Sequence, residues 1–237
     1  MEHEHTIASI EQRLSAGPRL NYLRDWIYGG IDGSVTTFAV VSGVVGAQLS
    51  PTIILIMGFA NLLADGFSMA ASNFLGTKAE HDDIKRLEAI EHRHIELEPE
   101  GEREEVRQIF AGKGFCGSDL ERVVELITAD RERWVQTMLS DEYGLPQKAR
   151  SPWLAAISTF SAFLVCGFAP LLPFLLSMRS AGVVSTFLTG SVFFLIGSAK
   201  SRWSTTAWWR SGLLTLAVGG IAAGLAYAAG LLLKQLA

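Results

Sequence analysis

The chain reads as an all-α polytopic membrane protein with five transmembrane helices and a cytoplasmic three-helix insert between spans two and three. Three observations lead there. Five apolar blocks are each long enough to cross a hydrocarbon core of about 30 Å as helix. The mean hydropathy of +0.28 is positive because apolar residues gather in those blocks. The acidic residues gather elsewhere: 77–150 holds 18 of the chain's 24, against 12 of its 20 basic residues, so this segment carries a net charge of −6 where the whole chain carries −4. Four units follow: an N-terminal segment (1–25), spans one and two (26–76), the acidic insert (77–150) and spans three to five (151–237).

The N-terminal segment is polar and reads as helical. It lacks the apolar core and small-residue cleavage site of a signal peptide, so it stays on the chain. Span one, Trp26 to Ala47, carries Asp32 within Gly29-Gly30-Ile31-Asp32-Gly33-Ser34, followed by Thr36, Thr37, Ser42, Gly43 and Gly46. Small residues at this density let helices approach closely, since packing rather than hydrophobicity drives association in lipid. The loop Gln48-Leu-Ser-Pro51 is short and uncharged, which makes spans one and two a hairpin.

Span two, Thr52 to Leu75, contains Asn61-Leu-Leu-Ala-Asp65-Gly-Phe-Ser-Met69-Ala-Ala-Ser-Asn73. Asn61, Asp65, Met69 and Asn73 are four apart and stack on one helix face. An ionisable group at that depth costs about 2.5–3.5 kcal/mol on insertion scales, so it faces a bundle interior or a water-filled path. Asp65 and Asp32 are therefore functional candidates, with alternatives open: for Asp65 a place near the membrane surface or a bond that only holds the bundle together, for Asp32 a place at the interface near the Trp26 end. No strong breaker follows Leu75, so the second helix runs on into the insert.

The insert divides into a helix from Lys78 to Leu97, stopped by Glu98-Pro99, and a second that ends at Gly112-Lys-Gly114. A third opens at a capping box, Ser118-Asp-Leu-Glu121, and reaches Tyr143-Gly144-Leu-Pro146. Glu91 and His94 are three apart on the first, Glu102 and Glu105 three apart on the second, and Met138 and Glu142 four apart on the third. Each pair shares a face. In a packed bundle these faces can converge on one site of carboxylates, an imidazole and a thioether, a donor set that suits Fe²⁺, Mn²⁺, Co²⁺ or Zn²⁺ better than Mg²⁺ or Cu⁺. A solvated acidic face is the plainer alternative, and His92, His81, His3 and His5 read as solvated.

Spans three to five run from Pro152 to Met178, Gly182 to Ser198 and Ser211 to Leu233. Pro170 and Pro173 kink or break the third, which neighbours make tolerable by satisfying the freed carbonyls. Trp153, Trp203, Trp208 and Trp209 stand at span ends, where an aromatic belt places them. Arg13, Arg19 and Arg24 before span one, with Lys200, Arg202 and Arg210 between spans four and five, put the N-terminus and the insert in the cytoplasm by the positive-inside rule.

Several chemistries find no support. Cys116 and Cys166 have no CxxC spacing and no pairing logic. No nucleophile constellation appears, so the chain does not read as an enzyme. There is no GxxxxGK[ST] for ATP-driven transport, and Glu91-x-x-His94 is a single copy of a pattern that di-iron carboxylate proteins use twice.

Gly30-Ile-Asp32-Gly33, the segment from Asn61 to Asn73 and the insert from Glu80 to Leu145 resemble the vacuolar iron transporter family, including its bacterial members. The resemblance covers most of the chain in order. It implies a five-span homodimer in a bacterial plasma membrane that moves Fe²⁺, and often Mn²⁺, out of the cytoplasm in exchange for protons, with no nucleic-acid partner. It implies a pore lined by spans one and two of both subunits, with Asp32, Asn61 and Met69 at transport positions. The metal-binding positions it implies in the insert are Glu91, His94, Glu102, Glu105, Met138 and Glu142.

The chain departs from the family pattern in four places. Asn61 stands where some members have a pore glutamate, Asn73 where many bacterial relatives have a glutamate, His94 where glutamate is usual, and Leu139 where a second methionine often follows the first. Asp65, one turn beyond Asn61, can restore the missing carboxylate. A metal-responsive sensor or buffer anchored by its spans and a passive divalent-cation channel are the competing functional classes.

Overall fold

The computed structural model describes residues 6–16, 20–146 and 149–236. His3, His5 and Arg19 lie outside them. The described residues form ten α-helices: α1 (Ile7–Ala16), α2 (Leu23–Gly46), α3 (Pro51–Leu97), α4 (Pro99–Gly112), α5 (Gly117–Thr128), α6 (Arg131–Asp141), α7 (Pro152–Phe168), α8 (Leu172–Leu175), α9 (Ala181–Lys200) and α10 (Trp208–Leu236). Five segments are long and apolar enough to cross a membrane: Leu23–Gly46, Pro51–Leu97, Pro152–Leu175, Ala181–Trp203 and Trp208–Gln235. The chain is a polytopic all-helical membrane protein, and it separates into a membrane unit (21–76 and 152–237) and an insert unit (1–20 and 77–151).

In the membrane unit α2 packs against α7, α9 and α10. Its glycines make the α7 contact possible, because a Cβ on Gly29 would stand 2.1 Å from the Thr159 carbonyl oxygen and one on Gly33 2.4 Å from that of Phe163. Backbone thus meets backbone, as the small-residue pattern of span one anticipates. A core of Phe38, Val41, Val44, Ile54, Leu62, Phe163, Leu171 and Phe174 joins α2 and α3 to the α7–α8 segment. The prolines break span three as expected: α7 ends at Phe168, a 3₁₀ turn covers Ala169–Leu171, and α8 completes the crossing. The Ser185 hydroxyl on α9 donates to the Pro170 carbonyl at 2.7 Å, so a neighbouring helix supplies a donor at the break. Trp153, Trp203, Trp208 and Trp209 are exposed at helix ends.

The second helix runs unbroken from Pro51 to Leu97, as its lack of a breaker predicts. In the insert unit Ile95, Val106, Val124, Trp134, Val135, Met138 and Leu139 form one hydrophobic core. Two expectations are corrected here. The third insert helix is two helices, because Asp130 adopts an extended backbone and its carboxylate accepts the Arg133 amide as the N-cap of α6. The Ser118 capping box does not form either. Helix α5 starts one residue earlier, at Gly117, whose φ of +56° suits a residue without a Cβ; Cys116 then occupies the cap position without a side-chain bond.

Candidate functional site

The membrane unit gathers most of the polar stripe of α3 against α2. Asn61 donates from Nδ2 to the hydroxyls of Thr36 at 3.2 Å and Thr37 at 3.4 Å, and Thr36 in turn donates to the Asp32 carbonyl at 2.9 Å. Asn61 is therefore tied to span one. Asp32 and Asp65 are both half-buried, and among the described residues the Asp65 carboxylate is the charged group that Asp32 senses. Two carboxylates from adjacent spans thus come within electrostatic reach of each other, an arrangement that a divalent cation or a proton would relieve. Met69 is half-buried and packs against the core around Phe163.

Asn73 has a different setting from the rest of the stripe. Its Nδ2 lies 2.9 Å from Asp25 Oδ1, 2.7 Å from the Thr159 hydroxyl and 3.3 Å from the Ala155 carbonyl, joining α3 to α2 and α7. Asp25 is only 2% exposed. Sequence reading passed over it because it lies beside Arg24 and Trp26, where a charge reads as interfacial; its signal is that the span begins before it, at Leu23.

In the insert unit the paired acids do converge. Glu91 is 1% exposed and Glu102 5%, and the Tyr143 hydroxyl donates to Glu91 Oε1 at 3.0 Å. His94 Nδ1 lies 3.3 Å from Glu102 Oε1. Burial, followed by repulsion from Glu91, Glu105 and Glu142, pushes the Glu102 carboxyl up to about 7. Burial, with Glu105 and Glu91 beside it, also raises Glu142. Tyr143 is raised by burial and by its bond to Glu91. Glu102 and Glu91 also stand within hydrogen-bond reach of each other, so a protonated Glu102 carboxyl has an acceptor in Glu91.

Glu102 thus sits near half-protonation at neutral pH, among acids that crowd one another. Glu91 and Glu102 form the buried part of this group of acids, and Glu142 reaches the surface. Met138 is fully buried in the adjacent core, while Glu105 is exposed. Among the described residues no group of three or more His, Cys, Asp or Glu side chains stands close enough to hold an ion as placed.

His92 is half-buried; its Nδ1 accepts from Arg131 Nε at 3.2 Å and its carbonyl from the same guanidinium at 2.8 Å, both bonds at the exposed surface. His81 is half-buried in the wall of a cavity of about 210 Å³ shared with Lys85, Glu88, Gln136 and Ser140. Cys116 and Cys166 are both free thiols. Tyr143 was read only as the end of a helix, since nothing local in the sequence shows that it reaches back to Glu91.

Five apolar segments, a polar stripe within the second and acids in a helical insert define a multi-pass membrane protein with carboxylates within its apolar segments. The VIT family model matches residues 23–231, and the chain belongs to that family. It is 31% identical over 226 residues to the vacuolar iron transporter of Toxoplasma gondii, an alignment covering 90% of this chain and 75% of that protein. It is 31% identical over 220 residues to vacuolar iron transporter 1 of Arabidopsis thaliana, covering 92% and 87% respectively. The vacuolar iron transporter of Plasmodium falciparum is 30% identical over 225 residues, covering 90% of this chain and 82% of that relative.

Proposed function

We propose that the chain is an iron transporter that carries Fe²⁺, and also Mn²⁺, out of the cytoplasm in exchange for protons. The names of its relatives support iron as cargo. The observation that carries the mechanism is that Asp32 and Asp65, half-buried on adjacent spans, lie within electrostatic reach of each other. Carboxylates that bind either a metal ion or a proton give exchange without ATP, because protonation from the acidic side releases the ion. Asp32 carries the coupling, Asp65 supplies the charge lacking at Asn61, and the thioether of Met69 favours transition metals over Mg²⁺ and Ca²⁺. Asn61 and Asn73 hold the spans that carry them.

A homodimer in the plasma membrane of a bacterium, with paired first and second spans about a two-fold axis, doubles these ligands around one path. The N-terminus and insert face the cytoplasm by the distribution of Lys and Arg. In the insert, Glu91, His94, Glu102, Glu105, Met138 and Glu142 form the region that captures the ion before transport, with Zn²⁺ and Co²⁺ as further ions its donors accept. Two buried acids placed beside each other, whose repulsion a cation would relieve, favour this reading over a purely structural cluster.

The test is metal flux into liposomes holding the purified protein, with Fe²⁺ and Mn²⁺, with and without an imposed pH gradient, while internal pH is followed. Uptake with matching proton movement is expected, and Asp32→Asn should abolish it while leaving a folded protein. Flux indifferent to the gradient would replace the exchanger by a channel. No flux, with metal still bound by the insert, would leave a sensor or buffer.

A further inference from the structure

Helix α1 is the part of the chain that neither the transport path nor the insert core uses. It begins after Thr6, whose hydroxyl accepts the Ser9 amide at 3.3 Å, and covers Ile7–Ala16. Ile7, Ile10 and Leu14 recur at helical spacing and fall within about 60° of one another around the axis. Ile7 is 79% exposed and Leu14 72%. None of the three belongs to a hydrophobic core among the described residues. A ten-residue helix is marginal in water on its own, so a stripe exposed at Ile7 and Leu14 and half-buried at Ile10 calls for an apolar partner.

The length of the connection to span one limits what that partner can be. Seven backbone steps separate Ala16 from Leu23, where the first span begins, and fully extended chain covers at most about 25 Å over that length. The helix is tethered beside the membrane surface at all times. From Thr6 to Ala16 the chain has one acid, Glu11, and one base, Arg13. It therefore has no net charge with which to seek anionic headgroups or a charged protein.

We propose that α1 is an interfacial anchor: it lies in the leaflet at which span one begins, with Ile7, Ile10 and Leu14 among the acyl chains. Interfacial binding combines buried apolar area with attraction to anionic headgroups, and α1, with one acid and one base, brings only the first. It fixes the N-terminal segment against the bilayer independently of what the spans carry.

The test uses the full chain with Cys116→Ser, reconstituted in phosphatidylcholine vesicles, with a bimane fluorophore on Leu14→Cys or on Gln12→Cys, which lies about 160° away around the helix. Acyl-chain-brominated phosphatidylcholine and aqueous iodide serve as quenchers. The expected result is at least threefold stronger bromolipid quenching at 14 than at 12, the reverse order with iodide, and no change when phosphatidylglycerol is added. Iodide access to both sites would mean a helix free in water, and shielding of position 14 from both quenchers would mean a protein partner; either overturns the assignment. Ile7→Asp in the Leu14→Cys background should abolish lipid quenching, and quenching that persists would also overturn it.

Discussion

Asn73 on α3 donates to Asp25 on α2 at 2.9 Å, and the same amide lies 2.7 Å from the Thr159 hydroxyl on α7. Three spans are joined at one amide group. Replacing Asn73 with Leu removes a hydrogen bond to a buried carboxylate, and a hydrogen bond to a charged group is worth about 1.5–3 kcal/mol. Asn73→Leu should therefore lower the thermal unfolding midpoint in detergent, while Asn73→Gln, which retains the amide, should lower it less. Equal losses from the two variants would assign the effect to packing rather than to the hydrogen bond.

The motif that carries the family resemblance, Gly30-Ile-Asp32-Gly33, combines a functional and a packing requirement. Asp32 lies within electrostatic reach of Asp65, while a Cβ at position 33 would enter the space of the Phe163 carbonyl oxygen, 2.4 Å away. Backbone atoms cannot give way as a flexible side chain can. Gly33→Ala should destabilise the membrane unit by about 1–3 kcal/mol, the usual cost of overpacking, and Gly29→Ala should act similarly through Thr159. Circular dichroism during heating in detergent checks both.

The five spans and the stripe of α3 were legible in the sequence because lipid imposes length and forbids unpaired charge, and four-residue spacing fixes a helix face. What was not legible depended on partners far along the chain. Asp25 reads as a charge at a membrane surface until Asn73 and Thr159 are placed around it, and Tyr143 reads as a helix terminus until Glu91 is placed beside it. The division between α5 and α6 is a different kind of miss. Asp130 is a good N-cap residue, but the helical pattern on both sides concealed that a new helix starts there. Conversely, Ser118 and Glu121 had the spacing of a capping box, yet the chain turns one residue earlier at Gly117.

The acid cluster gives the insert unit a definite pH dependence. Glu102 has its folded-state pKa raised from 4.5 to about 7, so between those values the folded state binds more protons than the unfolded one. Its contribution to stability is fully present below about 4.5 and is lost as pH rises through 7. Without metal, amide hydrogen exchange over α4 and α6, corrected for its intrinsic rate, should quicken across that interval. Glu102→Gln should flatten the profile. An ion bound through Glu102, as proposed, would displace the same proton, so metal affinity of the full chain should rise over that interval. An affinity independent of pH would remove Glu102 from the ligand set.

Met69 allows a sharper test of selectivity than of transport itself. Its thioether is half-buried on the face that also presents Asp65, and it packs against the core around Phe163. Leu has nearly its volume, and such a swap costs less than about 1.5 kcal/mol of stability, so Met69→Leu should fold and insert normally. What Leu lacks is a polarisable sulfur, which contributes to binding of Fe²⁺ but hardly to binding of Mg²⁺. If that contribution is about 1.4 kcal/mol, one tenfold step in affinity, the Fe²⁺ to Mg²⁺ flux ratio in liposomes should fall about tenfold, mainly through loss of Fe²⁺ flux. An unchanged ratio would assign Met69 to packing alone and leave selectivity to the carboxylates; equal loss of both fluxes would point to a narrowed path.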